Sequence, residues 1–206
     1  MKLYYSPGAC SLGIHVLLEE IGAPFELMLL NVRDGSNRKP EFLALNPKAK
    51  VPTLVTGDGR VLTEFPAIAV WLAHTHPKAE LLETDPDTES LALEVMDYIV
   101  ATVHMQGFTR IARPGNFTPT EADHAKVQAR GREIYAEGMA LLDRRLQGRD
   151  YVAGDRFSVA DAALVFVENW AARAAYVLPA NLAAHFARMK ARQAVQRAFA
   201  SEGLSL

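Results

Sequence analysis

The residue best suited to chemistry in this chain is its single cysteine. Cys10 stands in Ser6-Pro7-Gly8-Ala9-Cys10-Ser11, where the apolar stretch Leu3-Tyr4-Tyr5 gives way to a helical pattern. Ile14, Leu17, Leu18 and Ile21 follow at i, i+3, i+4 and i+7, one face of an α-helix. Cys10 is therefore expected in the first helical turn, where backbone N–H groups and the positive end of the helix dipole favour negative charge. Such a position lowers a thiol pKa from about 8.5 into the range of roughly 3.5–7.5, and it equally suits the thiolate of a bound ligand. The competing reading is a small buried hydrophobe, the usual state of a free cysteine.

Two other segments carry possible ligand chemistry. Val51-Pro52 opens a strand, and an X-Pro bond is cis in only about 5–6% of folded cases, so these residues alone favour a trans edge proline. A cis bond would turn the Val51 N–H and C=O outward to pair with a peptide-like ligand as an added strand. Thr63-Glu64-Phe65-Pro66-Ala67-Ile68 opens a further helix whose first amides suit a carboxylate, with Glu64 suited to an ammonium. Ordinary capping by Thr63 or Glu64 explains the same segment without a ligand.

Other polar residues read as structural. Ser158-x-x-Asp161 has the form of a capping box. His104, near Asp97 and Tyr98 on a long helix, reads by itself as a core or surface residue, and Trp170 reads as core. Glu19-Glu20 looks like a solvated helix face. His74 and His76 are two apart, point to different helix faces and make no metal pair; no metal is expected.

The elements that must position these groups fall into two sets. Lys2–Tyr5 reads as a strand and Ser11–Ile21 as a helix closed by Gly22, with Pro24 beyond it. A strand over 25–30, a polar loop over 31–40 and a short helix around 41–45 follow. Strands at 51–55 and 60–62 flank Gly57-Asp58-Gly59, a hairpin signal, and a helix over roughly 66–74 closes the block. The order β-α-β-α-β-β-α implies an α/β layer on a small mixed sheet. Residues 77–87 turn polar and read as a linker. Beyond them Leu91, Val95, Ile99 and Val103 repeat at helical spacing until Arg113-Pro114-Gly115-Asn116 breaks the pattern. Thr118-Pro119-Thr120-Glu121 offers a capped start for a helix to about residue 146, and Ser158 one for an apolar helix to about 176. Shorter helices are expected around 182–190 and 195–200. The domains are thus expected at 1–77 and, after a linker at 78–87, at 88–206, the second all-helical.

Composition excludes several classes of function. The 206 residues are 50% hydrophobic and 22% charged with net charge −2, so no basic field for nucleic acid and no polybasic membrane patch exists. One cysteine excludes an internal disulfide and any CxxC metal pattern. Apolar runs such as 162–167 are far too short to span a bilayer, and no signal peptide is visible, which leads to the expectation of a cytoplasmic protein.

Together these pieces resemble a cytosolic glutathione transferase. Met1-Lys2-Leu3-Tyr4-Tyr5-Ser6-Pro7-Gly8-Ala9-Cys10-Ser11-Leu12 is similar to the opening of the bacterial beta-class enzymes. Asn46-Pro47-Lys48, Val51-Pro52, Leu62-Thr63-Glu64, Phe157-Ser158-Val159-Ala160-Asp161, Trp170 and Ser201-Glu202-Gly203-Leu204 extend the match over essentially the whole chain. The resemblance implies a thioredoxin-like N-terminal domain that binds glutathione and an all-helical C-terminal domain that supplies the second-substrate pocket. It implies that Cys10 is an active-site cysteine able to form a mixed disulfide with glutathione, and that Val51 before a cis Pro52 pairs with the cysteinyl part. It implies that Glu64 and the Phe65 N–H hold the γ-glutamyl end, with Tyr5 and Ser11 also at the glutathione site. Phe108 and Trp170 are implied in the second-substrate pocket, and a homodimer as the assembly.

Three places depart from that pattern. Phe65 stands where many relatives carry serine or glycine, so only its backbone can serve. The beta-class histidine pattern, Leu-His-Lys followed closely by Phe, meets Val103-His104-Met105-Gln106-Gly107-Phe108. Counting forward from Asp97 selects His104, the reading adopted, whereas counting back from Gly107-Phe108 selects Met105. In the loop at 31–39, Arg33, Arg38 and Lys39 all remain candidates for the glycyl carboxylate. The function expected is conjugation of the glutathione thiolate to small hydrophobic electrophiles, with catalysis by Cys10 and His104. The alternatives are a glutathione-dependent thiol or peroxide reductase, and a non-catalytic binding module.

Overall fold

Strand β1 (Lys2–Tyr5) forms the centre of the first unit because its alternate residues face opposite sides of a sheet, and Leu3 is fully buried. The computed structural model describes residues 1–32 and 34–206, and its contacts group them into two units. One unit comprises Met1–Glu83 with Met189–Leu206, the other Thr84–Arg188. The last residues therefore group with the first unit, although sequence pattern alone places them with the helices that precede them.

The sheet of the first unit has the order β2-β1-β3-β4, with β2 at Glu26–Leu29, β3 at Thr53–Val55 and β4 at Val61–Thr63. β1 runs parallel to β2 and antiparallel to β3, and β3 runs antiparallel to β4. Leu3 is in register with Leu27 on one side and Leu54 on the other. Helix α1 (Ser11–Ile21) ends where Gly22 takes a left-handed φ of 68°, a conformation glycine adopts without a Cβ clash. The short α2 (Pro40–Leu45) and α3 (Phe65–Thr75) follow. α1 packs against α3 and against α9 (Gln193–Ser201), which the chain supplies from its far end.

That last contact corrects the reading of Glu19-Glu20 as a solvated face. Glu20 Oε1 accepts a hydrogen bond from Arg192 Nε at 2.7 Å, and Glu19 Oε2 accepts one from Arg197 Nε at 2.5 Å. Both acids are largely covered because arginines near and on α9 lie over them. A pairing between residues more than 170 positions apart has no local signature in sequence.

The second unit begins with α4 (Pro86–Asp97), capped by Asp85, whose carboxylate accepts from the Thr88 N–H. The chain then winds as a π-helix over Tyr98–Phe108 before α5 (Thr109–Ala112). The four-residue repeat of Leu91, Val95, Ile99 and Val103 outruns the 3.6-residue α turn, and the wider i→i+5 turns keep Ile99 and Val103 fully buried.

The antiparallel partner in sequence is α6 (His124–Arg145), which packs closely on the π segment. A Cβ at Gly138 would lie 2.7 Å from Val103, and one at Gly131 would lie 2.9 Å from the Gly107 carbonyl oxygen. The Thr118 start is corrected: its hydroxyl accepts from the Thr120 N–H in a turn, a 3₁₀ turn follows at Glu121–Asp123, and the helix begins at His124.

Helix α7 (Val159–Asn169) is buried all round, every residue from Val159 to Glu168 being covered although Asp161 and Glu168 are charged types, which makes it the central helix of this unit. Its capping box is present as expected: Ser158 Oγ accepts from the Ala160 N–H, and Asp161 accepts from the Ser158 N–H at 2.9 Å. The helix stops at Asn169, earlier than the apolar pattern suggests, and a 3₁₀ turn occupies Ala172–Ala174 before α8 (Ala180–Ala191). No helix among the described residues is long and apolar enough to cross a membrane.

Candidate active site

Cys10 sits at the cap of α1, one residue before the helix begins, after tight turns in which Ala9 N–H donates to the Ser6 carbonyl at 2.9 Å. Its thiol donates to the Val51 carbonyl at 3.3 Å. Burial pushes the thiol up to about 12, outweighing the lowering effect of the Cys10 and Ser11 backbone amides and of Lys50; the Glu64 charge pushes it further up. Of the two readings the sequence leaves open, an activated thiol and a small buried hydrophobe, the unliganded chain is nearer the second. The helix terminus acts in the expected direction, but desolvation of the sulfur is the larger effect.

The loop that carries Cys10 is anchored from the far end of the chain. Gly8, at a φ of 65°, donates its N–H to Glu202 Oε2 at 2.8 Å. The other Glu202 oxygen meets His15 Nδ1 of α1 at 2.9 Å, and both side chains are fully buried. Ser11 is fully buried as well, with Oγ accepting from the Ser6 N–H at 3.2 Å and donating to the Ser6 carbonyl at 3.4 Å. Tyr5 is 7% exposed, and burial followed by the Glu202 charge raises its hydroxyl above the ordinary range. Tyr5 and Ser11, implied at the glutathione site by resemblance, thus lie behind the loop and set its form.

Val51-Pro52 is cis, as the resemblance implies and against the trans preference of the dipeptide alone. The surrounding loop is held by Asn46, 1% exposed, whose amide donates to the Lys50 carbonyl and to Thr53 Oγ1, each at 2.9 Å. Asn37 donates to the Ala49 carbonyl at 2.6 Å. Asn37 lies in the loop whose sequence matches the family poorly, so no motif pointed to it. Arg38 and Lys39 are exposed on the same loop, and Arg33 lies outside the described residues.

Glu64 precedes α3 with φ 71° and ψ 127°, an outlier for a residue with a Cβ. Neither Thr63 nor Glu64 caps the helix in the ordinary way, because both side chains turn to Lys48. Lys48 Nζ donates to Thr63 Oγ1 at 2.8 Å and to Glu64 Oε1 at 2.7 Å. The Glu64 carboxylate therefore already receives an ammonium, in an exposed pair that contributes little stability. Phe65 is 4% exposed, its ring in the core where a hydroxyl would find no water.

The remaining candidates belong to the second unit. His104 is half-buried, its ring edge-on to Trp170 at 4.9 Å and to Phe166 at 5.6 Å. Phe108 stacks on Trp170 at 4.3 Å, and the two are 5% and 3% exposed. Phe108 and Trp170 are thus interior packing that backs His104 rather than an open wall. Met105 is also half-buried, its sulfur 3.9 Å from the Thr109 hydroxyl. Both register candidates lie inside the π segment, where the wider turn changes the face each residue occupies.

Comparison with known proteins agrees with this architecture. Residues 8–75 match the N-terminal domain model of glutathione S-transferases, and residues 125–197 match the C-terminal domain model. Glutathione S-transferase GstA of Escherichia coli O157:H7 is 34% identical over 212 residues, covering 99% of this chain and all of that protein. The solved structure of a sphingomonad glutathione S-transferase complexed with glutathione superposes with a TM-score of 0.87 at 33% identity over the full length of both chains. The bacterial beta-class enzyme of Sphingomonas chungbukensis gives 0.87 at 32% identity, again over both full chains. The chain belongs to the glutathione S-transferase family, and beta-class enzymes are among its structural neighbours.

Proposed function

We propose that this glutathione transferase binds glutathione in its first unit and joins the tripeptide's thiolate to small hydrophobic electrophiles. The observation that carries this reading is the convergence of three features: the α1 cap at Cys10, the Val51 carbonyl 3.3 Å from its sulfur, and the strained Glu64 ahead of α3. The extended middle of glutathione pairs with the Val51 backbone as an added strand. Its ammonium replaces that of Lys48 on Glu64, and its α-carboxylate meets the opening amides of α3. The sulfur then lies by the start of α1, where backbone N–H groups favour its anion.

In the reaction the thiol proton leaves to a base, the sulfur forms a bond to the electrophilic carbon, and the leaving group departs with the electron pair. His104 is our candidate to orient or deprotonate the thiol. Cys10 acts as a neutral thiol at rest. It forms a mixed disulfide by exchange with glutathione disulfide, which releases one reduced glutathione. Exchange requires a thiolate, so the raised pKa makes this step slow at neutral pH and disfavours rapid turnover through it, as a reductase would need. We further propose a cytoplasmic homodimer.

Conjugation of glutathione to a generic aryl halide tests this reading. Turnover is expected, and Glu64→Ala should weaken glutathione binding by about tenfold or more, the usual loss for a hydrogen bond to a charged group. His104→Asn should lower kcat with little change in glutathione affinity. Absence of turnover with glutathione binding intact would overturn the transferase reading for this site.

A further inference from the structure

We propose that Asp161, Glu168 and His185 form a proton-operated lock between α7 and α8, so that proton uptake stabilises the helical unit. Asp161 and Glu168 stand seven residues apart, two turns along one face of α7. The His185 ring of α8 bridges them, with Nδ1 2.8 Å from Glu168 Oε1 and Nε2 3.1 Å from Asp161 Oδ1. All three side chains are fully buried. Asp161 is otherwise well served, since it also accepts from the Val152 N–H at 2.8 Å and from Ser158. Glu168 is not: its Oε2 is buried with no hydrogen-bond partner among the described residues. A bare carboxylate oxygen in a dry interior is costly, and a proton on it removes the charge.

Other polar groups stand on the neighbouring elements. From α6, Tyr135 donates its hydroxyl to the Val167 carbonyl at 2.5 Å, and Tyr176 sets its ring edge-on to Tyr135 at 5.7 Å. α4 carries Asp87, Glu89, Glu94 and Asp97, all exposed or half-buried. The π segment brings His104, whose ring lies against Phe166 and Trp170. Among these, His185 is the cation that acts on Glu168.

Burial drives the Glu168 carboxyl up to about 7 even though His185 pulls it down. Burial opposes the charge of His185, but Glu168 and Asp161 outweigh it and hold the imidazole up at about 9. Both groups bind protons more tightly folded than unfolded. Their contribution is therefore complete below the unfolded values and is lost as pH rises through about 7 for Glu168 and about 9 for His185.

Urea unfolding of the full chain across pH, comparing wild type with Glu168→Gln, tests the lock. Glutamine keeps the shape and cannot ionise. From about pH 5.5 to about pH 8 the wild-type folding constant should fall by on the order of a hundredfold relative to the variant, which should be the more stable at the alkaline end. Parallel pH profiles for the two chains, or a variant destabilised equally at every pH, would overturn the proposal. Should the variant not fold, infrared spectroscopy of the wild type decides. A protonated buried carboxyl band that fades near neutral pH supports the lock, and its absence at pH about 5.5 contradicts it.

Discussion

At Cys10 two opposed effects meet on one sulfur. The helix cap and Lys50 favour the anion, but loss of water around the thiol is stronger and leaves it protonated up to about 12. Alkylation of Cys10 by iodoacetamide in the unliganded protein should therefore be slow at neutral pH and still rising at about pH 10, because the thiolate is the reactive form. A rate that levels off below about pH 8 would show that the terminus wins instead. Sequence reveals the position of Cys10 through the apolar periodicity after it, since 14, 17, 18 and 21 fix the face of α1. It does not reveal the sign of the shift. That depends on how far the fold withdraws the sulfur from water, and the segment that meets it at Val51 comes from 41 residues away.

At the scale of elements, backbone geometry is the best-read level and long-range support the worst. The Ser158–Asp161 box, the Gly22 stop and the hairpin at 57–59 depend on residues close in sequence, and each appears as expected. The turns anchored by Asn46 and Asn37, and the Gly8 loop anchored by Glu202, depend on partners that local pattern does not name. The packing of α6 on the π segment depends on glycines for a reason visible only in three dimensions. Gly138→Ala should place a methyl 2.7 Å from Val103 and lower stability by about 1–3 kcal/mol, read as a shift of the urea midpoint. An unchanged midpoint would mean that the two helices separate without cost. Glu202→Ala should destabilise by about 1–3 kcal/mol, because the Gly8 N–H and His15 lose a buried acceptor. An unchanged midpoint for this variant would remove the anchoring role.

For the whole molecule, α9 groups with the thioredoxin-like unit because the chain's last helix packs on α1, the helix that carries the proposed sulfur site. The proposed homodimer predicts twice the chain mass in sedimentation equilibrium at micromolar concentration, and a single-chain mass there would contradict it. The account as a whole stands on the claim that the first unit holds glutathione with its sulfur as an anion beside α1, independently of Cys10's own ionisation. The most direct test is ultraviolet difference spectroscopy of glutathione bound to Cys10→Ala, titrated with pH to follow thiolate absorbance. The account predicts a bound-glutathione thiolate that forms at least about one pH unit below the ordinary thiol value near 8.5. Glutathione that binds but ionises only at that ordinary value would contradict it.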